Sequence, residues 1–321
     1  QWDLLTKAMY PKGHPYSWTV IGEMEDLNAA TLTDVHEWFK AYYGPANSVI
    51  AIAGDVNPKE IYNKVLNYFG DIPSGPTIER QEVNIPVHNG DTYQVYEDRV
   101  PESRILLAWN TPQLGSKEDV YFDLISSILT NGKNSRLYKK LVYEDQTASS
   151  VVSFQASAEI ASRFVTYANV KPGGNTENVQ ATLLAEIDNF VKNGPTEAEL
   201  KRVKADYFSN FIKGLERIGG FGGTSDILAS NETFFGDATH YKTTLKYAQD
   251  ATIADLKATA QKWLTKGKHT LICNPFPEYS TVKSSVDRTK IPELGTPKSA
   301  NFPVLEQTKL SNGLKVILAK R

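Results

Sequence analysis

The sequence has almost no cysteine and no long apolar segment. Its single cysteine, Cys273, rules out an intrachain disulfide and lies in an apolar stretch, where a small core residue is expected rather than a reactive thiol. No run of roughly 18 apolar residues occurs, so the sequence predicts no transmembrane helix. One cysteine does not distinguish the cytoplasm from the periplasm.

The sequence also lacks an excess of charge of one sign. It carries 35 basic and 37 acidic residues, which give a formal net charge of −2 at pH 7. This balance argues against a general electrostatic interaction with nucleic acid, which would require a basic surface. The 321 residues are enough for two domains with separate hydrophobic cores.

Clustered metal ligands and nucleophile motifs are missing as well. The segment His36–Lys40 (HEWFK) is close to the zinc-binding pattern H-E-x-x-H, but Lys40 replaces the second histidine, and a cation cannot bind Zn²⁺. His14 could be a metal ligand or a general base. The commoner role of such a histidine is that of a loop residue hydrogen-bonded to the backbone. No G-x-S-x-G motif is present. We therefore predict no catalytic, cofactor-binding or metal-binding residue in this chain. The five histidines are far apart, at positions 14, 36, 88, 240 and 269.

What the sequence does contain is a capped helix followed by a β-branched run. Thr31 or Thr33 can cap this helix, and Asp34 lies in its first turn, where the helix dipole favours an anion. Apolar side chains then recur with the helical period until Gly44-Pro45 ends the helix. Residues 48–53 (SVIAIA) predict a short buried strand.

The same pattern recurs 221 residues later (252 − 31), with Thr252 and Asp255 in the places of Thr31 and Asp34. The apolar run recurs at residues 269–273. An interval of this length is the size of a domain and is too long for a solenoid repeat. The chain is therefore expected to contain two copies of one domain type, the first entered part-way through.

The other predicted elements follow an order that excludes a doubly wound parallel sheet, which needs regular alternation of strands and helices. The predicted order is two strands, two helices, two strands and then several helices. This order is typical of an α+β fold. We expect repeated domains of largely antiparallel sheet, covered by helices on one face. The predicted strands are Thr92–Tyr96, Arg104–Trp109, Ser149–Gln155, Arg163–Val170 and 269–273. The predicted helices are 58–69, 119–129, 135–142, 175–192, 196–216, 238–249 and 252–264.

Polar and proline-bearing segments suggest where the domains divide. We predict the end of one domain at 1–75, a connector at 76–90 and a complete domain at 91–276. A linker rich in Pro, Ser, Lys and Thr follows at 277–303, and the first hairpin of a further domain, turning at Asn312-Gly313, at 304–321. Gln1 opens inside a predicted helix, so we expect the chain to be part of a longer one.

The segment Gly219–Ser225 (GGFGGTS) superficially resembles a phosphate-binding loop. It follows a predicted helix instead of a strand, and it has no P-loop lysine. Its simplest interpretation is a flexible break between helices. A functional loop that contacts an extended ligand is the alternative.

Several short motifs follow one another along nearly the whole chain. They are His14-Pro15-Tyr16, Ile21-Gly22, Glu25-Asp26-Leu27, Tyr42-Tyr43-Gly44-Pro45, Asn47, Ala53-Gly54-Asp55-Val56, Gly132, Ser135-Arg136-Leu137-Tyr138, Lys140-Leu141-Val142 and Leu310–Val316. Their order resembles the pitrilysin-type (M16) zinc peptidases, which include mitochondrial processing peptidase, and the resemblance agrees with the internal repeat.

The resemblance implies repeated α+β domains of the LuxS and mitochondrial processing peptidase type, enclosing a chamber. In that family an inverted H-x-x-E-H motif and a later glutamate hold the zinc, and a glutamate activates the bound water. No such motif occurs here, so the ligands are expected upstream of Gln1. The family also places an Arg and a Tyr of a C-terminal domain near the substrate. Arg217 is the nearest candidate for that arginine, and a pair in a later domain is the alternative.

Three hypotheses follow. The first is a portion of a zinc endopeptidase that supplies chamber wall and peptide-binding surface and is inactive alone. The second is a non-catalytic structural or binding subunit that kept the fold and lost the metal. The third, an unrelated α+β ligand-binding protein, requires the ordered matches to be chance. The implied partners are a peptide or unfolded polypeptide and the remaining domains or a homologous subunit, and the compartment stays open between the bacterial periplasm or envelope and the cytoplasm.

Overall fold

A computed structural model describes residues 1–277, 289, 295 and 303–319. The chain divides into two compact units, Gln1–Phe276 and Pro277–Arg321. The helices of the first unit are α1 (Trp2–Met9), α2 (Met24–Ala29), α3 (Leu32–Tyr42), α4 (Pro58–Phe69), α5 (Lys117–Thr130), α6 (Thr176–Asn193), α7 (Glu197–Leu215), α8 (Thr224–Phe235), α9 (Tyr241–Asp250) and α10 (Ile253–Trp263). Its strands are β1 (Thr92–Asp98), β2 (Arg104–Thr111), β3 (Ala148–Ala156), β4 (Ser162–Val170) and β5 (His269–Pro275).

The strands of the first unit form one sheet in the order β1-β5-β2-β4-β3. β2 pairs antiparallel with both β4 and β5, and β3 pairs antiparallel with β4. The exception is β1, which runs parallel to β5 with Thr92 opposite His269. The predicted α+β class with a largely antiparallel sheet is therefore confirmed.

Apolar side chains alternate along β2 and separate two cores. Ile105 and Leu107 belong to the larger core, formed with α5, α6, α7 and α10, whereas Leu106 and Ala108 face the opposite side of the sheet. There, Leu5 and Met9 of α1 complete a smaller core. Helices thus cover one face of the sheet, and α1 covers part of the other.

The internal repeat is visible in the local geometry of α3 and α10. Each begins with a reciprocal capping box, Thr31 with Asp34 and Thr252 with Asp255. The backbone N–H of each threonine donates to the carboxylate, at 2.7 Å in α3 and 2.9 Å in α10. Matching sequence therefore produces matching helix starts.

After the two capped helices the repeats differ. Residues 269–273 form part of β5, between β1 and β2, but residues 48–53 form no strand. The prediction of a buried strand there is wrong for this structure, because no strand among residues 1–277 pairs with the segment, and an extended chain without a partner leaves its backbone groups unpaired. Val49 and Ile50 are 40% and 54% exposed, and the apolar stripe of α3 is exposed as well, with Trp38 at 58%.

Some observed helices differ from those predicted from the sequence. α2 and α8 were not predicted. The predicted helix 135–142 is largely a π-helical turn, Tyr138–Glu144, which keeps Leu141 in the core. The other predicted helices and strands are present, with ends that differ by a few residues.

The second unit contains an antiparallel hairpin of β6 (Leu305–Lys309) and β7 (Lys315–Ala319), joined through Gly313 at φ +89°. This is the hairpin predicted around Asn312-Gly313. The predicted linker 277–303 falls almost entirely outside the described residues. In the described part of the chain, no helix has the length and apolar character needed to cross a membrane.

Candidate functional site

A cavity of about 580 Å³ lies beside α5, within the first unit. α7, α8 and α9 form its other walls, and the loops before α5 and after β3 contribute Gly115 and Ser157. The walls are mainly apolar, and the volume is in the range of ligand pockets in proteins. Its largest apolar lining side chains are Tyr207, Phe211, Ile227, Phe234, Phe235, Tyr241 and Leu245.

Two carboxyl groups on α5 line the cavity one helical turn apart, Asp119 and Asp123. Asp119 is 4% exposed and accepts hydrogen bonds from Gln155 Nε2 at 2.8 Å, Ser157 Oγ at 2.7 Å and the Gly115 N–H at 3.2 Å. Burial raises the pKa of Asp119, and these three donors oppose the rise. Asp119 is therefore a fixed, buried group whose hydrogen bonds anchor α5 to neighbouring loops.

Asp123 differs from Asp119 because no hydrogen bond to its carboxyl is present among the described residues. Burial, and secondarily the nearby carboxyl of Asp119, raise the pKa of Asp123 to about 7. Tyr207 lines the same cavity. Its pKa is raised mainly by burial and to a smaller extent by the negative charges of Asp123 and Asp119. The cavity thus has an acidic region that is poorly solvated.

Arg217 lines the cavity at a different place and is exposed to solvent. It follows the end of α7, where its carbonyl accepts the N–H of Thr224 at 2.8 Å. Among the described residues, no carboxylate is paired with its guanidinium. Arg217 is therefore free to bind an anionic or carbonyl group of a ligand at this side of the cavity.

The glycine-rich segment forms the tight turn that joins α7 to α8, after a helix and not after a strand. Gly220 and Gly222 have φ of +78° and +74°, which other residues adopt rarely. The N–H of Gly222 donates to Asp226 Oδ2 at 2.7 Å, and a side chain at Gly223 would meet the carbonyl of Gly219. The segment therefore positions Arg217 and α8 around the cavity, which accounts for its composition without a phosphate.

A second glycine sets the approach of α8 to α5. Gly115 has φ +80°, and a Cβ placed on it would overlap the ring of Phe235. The ring of Phe235 in turn stacks on His240, with 3.9 Å between the ring centroids. Gly115 and Phe235 both line the cavity, so their close contact shapes its wall.

The described residues do not fit the zinc that the family resemblance implies. No group of three His, Cys, Asp or Glu side chains in the described ranges could hold a metal ion. His14 uses Nε2 on the carbonyl of Asn84 at 2.8 Å and Nδ1 on the N–H of Tyr16 at 3.0 Å. It is therefore a loop histidine bonded to backbone. His36 lies on exposed α3, and it belongs to no group of three possible ligands in the described ranges.

The structure brings together residues that the sequence could not relate. Arg217, singled out from the sequence, does line the cavity, and the glycine-rich break lies beside it. Asp119 and Asp123 were not singled out, although their spacing of four on a predicted helix places them on one face. α8 could have been recognised from Gly236, which ends it in the left-handed conformation at φ +67°.

A family model described as the peptidase M16 inactive domain matches residues 29–207. Zinc protease PqqE of Helicobacter pylori is 27% identical over 263 residues, which are 81% of this chain and 58% of that protein. The chain therefore spans about 60% of the length of this relative and of a zinc protease of Mycobacterium leprae that it also matches.

Solved structures show the same fold. A crystal structure of a protease from Helicobacter pylori has a TM-score of 0.71 and 25% identity, and the match covers 82% of this chain and 63% of that one. The peptidase M16 inactive domain from Pseudomonas fluorescens also has a TM-score of 0.71, at 19% identity, over 88% of this chain and 66% of that one. At that identity the second similarity shows the fold alone.

Proposed function

Since the chain belongs to the pitrilysin-type (M16) peptidase family, we propose that it is the non-catalytic, peptide-binding part of a zinc endopeptidase. The observation that carries this proposal is the cavity beside α5, with its apolar walls, its two carboxyl groups and Arg217. A peptide presents apolar side chains, carbonyl groups and N–H groups, and this cavity has complementary partners for each kind. The relatives named as zinc proteases support a peptide as the ligand.

We propose that peptide hydrolysis is catalysed by a part of the parent protein outside this chain. The described residues offer no metal-binding cluster, and the family model that matches residues 29–207 is that of an inactive domain. We propose that the zinc of the parent protein is held by a different part of it, and that this chain supplies chamber wall and substrate-binding surface. A purely structural subunit is the alternative, and it predicts no peptide affinity.

The exposed apolar surface of residues 1–75 supports the domain division proposed from the sequence. Trp38 and Phe39 of α3 are 58% and 53% exposed, and Ile50 and Ile52 are 54% and 46% exposed. Several large apolar side chains exposed in one segment support an interface there. We propose that residues 1–75 are the C-terminal part of a domain, that 91–276 form a complete domain, and that other segments of the parent protein cover the exposed surface.

A binding assay with a cavity-filling variant tests the proposed function. Ser230 lines the cavity from α8, so the Ser230→Trp side chain would occupy it. Ala185 lies on the exposed face of α6, and Ala185→Trp is the matched control. Fluorescence anisotropy of a labelled, unstructured peptide should show binding to the 321-residue chain, at least about tenfold weaker binding to Ser230→Trp, and unchanged binding to Ala185→Trp.

Equal binding by all three proteins, or binding by none, would contradict the proposed function. Mass spectrometry of the same peptide after incubation with added Zn²⁺ tests the second half of the proposal. We expect the peptide to remain intact. If the isolated chain cleaves the peptide, and a chelator stops the cleavage, the metal site lies in this chain and the second half of the proposal is wrong.

A further inference from the structure

We propose that a second cavity, beside α1, binds a carboxylate group next to an apolar side chain, and that Arg163 holds the carboxylate. α1, the loop that follows it, the C-terminal end of β3 and the N-terminal end of β4 line this cavity, whose volume is about 360 Å³. A free small molecule and the C-terminal residue of a peptide present the same chemistry and are the two possible sources of the ligand. The inference goes beyond the proposed function and does not depend on it.

The position of Arg163 in the sheet separates this cavity from the one beside α5. Arg163 precedes Val165 by two residues on β4, so both side chains point to the face that α1 covers, whereas Phe164 belongs to the larger core under α5. β4 lies between β2 and β3, which places the backbone of Arg163 opposite Asn110 and Ala156. The guanidinium therefore extends from a rigid strand into the cavity beside α1.

Arg163 is part-buried and has no counter-ion among the described residues. Its Nη1 donates to Thr6 Oγ1 at 3.1 Å, and its Cζ lies 5.4 Å from the centre of the Tyr10 ring. Its other side-chain N–H groups have no acceptor in the described part of the chain. Because a charge that is removed from water is normally paired, this guanidinium indicates an anionic ligand.

The surroundings of Arg163 favour a carboxylate over a phosphate. Of the described residues that line the cavity, Arg163 alone is charged. One guanidinium compensates the single charge of a carboxylate and can donate to both of its oxygens. A phosphate dianion would keep an uncompensated charge in this site, which is costly away from water.

The remaining wall is suited to an apolar group beside the carboxylate. Trp2, Tyr16 and Trp18 line the cavity with aromatic surface, and the small side chain of Ala156 leaves space next to Arg163. The volume of about 360 Å³ is at the lower end of the range of ligand pockets in proteins. A group the size of one amino-acid residue, with a carboxylate and an apolar side chain, therefore matches both parts of the cavity.

Two pairs of ligands test this inference. One pair is an N-acetylated, otherwise uncharged peptide that ends in phenylalanine, as the free acid and as the amide, and the other is N-acetylphenylalanine and its amide. Isothermal titration calorimetry at pH 7 measures their binding to the 321-residue chain with Ser230→Trp, which fills the cavity beside α5. We expect at least one acid to bind at least about tenfold more tightly than its amide, the effect of one charge-assisted pair.

Further variants of the same protein assign the preference to Arg163. Arg163→Gln should reduce the affinity for the acid to that for the amide, and Arg163→Lys should give an intermediate affinity, since lysine keeps the charge and loses the planar fork. Arg99→Gln, at an exposed arginine, is the matched control and should leave both affinities unchanged. Thr19→Trp fills the cavity from its loop without changing the guanidinium, and it should weaken binding of the acid at least about tenfold even if Arg163→Gln does not fold.

The inference is wrong if each acid binds no more tightly than its amide, or if the preference survives in Arg163→Gln or Thr19→Trp. Inorganic phosphate that displaces the acid at equal concentration would also overturn it, because the site would then not select carboxylates. Tight binding of the peptide acid alone supports the C-terminal residue of a peptide as the source, and equally tight binding of N-acetylphenylalanine supports a small molecule. None of these results decides the proposed function, which is measured by the loss of peptide binding in Ser230→Trp.

Discussion

Replacing Asp123 by asparagine should increase the free energy of unfolding, because it removes a carboxyl whose ionised form is disfavoured by burial. The pKa of Asp123 is raised from 3.8 to about 7, mainly by burial. At 1.36 kcal/mol per pKa unit, this difference corresponds to about 4 kcal/mol of destabilisation when the group is ionised. Asp123 keeps part of its surface open to the cavity, so we expect about 2 kcal/mol.

The sign of the pH dependence follows from the direction of the pKa change. Below about pH 4 the carboxyl is protonated in both the folded and the unfolded chain, and it contributes nothing to the difference. Between about pH 4 and 7 the unfolded chain loses this proton first, so the free energy of unfolding falls as the pH rises. Above pH 7 the full penalty is present.

Urea unfolding of the unmodified chain, Asp123→Asn and Asp188→Asn between pH 4.5 and 8 measures this effect. The stabilisation by Asp123→Asn should grow from about 1 kcal/mol at pH 4.5 to about 2 kcal/mol at pH 8, with an unchanged m-value. Asp188→Asn, on the exposed face of α6, is the matched control and should stay within about 0.5 kcal/mol throughout. A pH-independent difference below about 0.5 kcal/mol for Asp123→Asn would refute the claim that this carboxyl is desolvated.

Three further predictions concern the framework of the first unit. Arg136→Ala should lower the free energy of unfolding by about 2–3 kcal/mol above pH 5, because it leaves the part-buried Glu199 unpaired. Burial raises the pKa of Glu199, but hydrogen bonds from Arg136 and Thr196 lower it to about 2, so the loss should shrink as the pH falls from 4.5 towards 2 in the same unfolding assay. Gly115→Ala should reduce stability by about 1–3 kcal/mol and weaken peptide binding, since its Cβ displaces the Phe235 ring; unchanged melting and affinity would refute this contact. Thr252→Ala should cost about 1 kcal/mol through loss of its capping box, and an unchanged urea midpoint would contradict that value.

Much of the fold could be predicted from the sequence, because local patterns encode it. The capping boxes at Thr31 and Thr252 and the alternation along β2 act over a few residues. The strand predicted at 48–53 failed because pairing is not local. Nearly the same pattern at 269–273 becomes a strand only because β1 and β2 lie on either side of it.

The cavity was harder to predict, since its walls come from helices that are distant in sequence. An aspartate pair four residues apart, such as Asp119 and Asp123, is normally a solvated helix face, and nothing local indicates that α7 and α8 enclose it. Arg217 was found only through the family resemblance. The contact that makes Gly115 necessary, with Phe235, spans 120 residues (235 − 115) and leaves no local signal.

Mapping the position of a bound peptide tests the central claim most directly. An unstructured peptide with one photoreactive benzoylphenylalanine would be crosslinked to the 321-residue chain and located by mass spectrometry. We predict crosslinks to residues 207–245 of α7, α8 and α9, and their loss in Ser230→Trp but not in Ala185→Trp. Crosslinks confined to the exposed apolar surface of α3 and α4, unaffected by Ser230→Trp, would contradict the assignment of this cavity as the peptide-binding site.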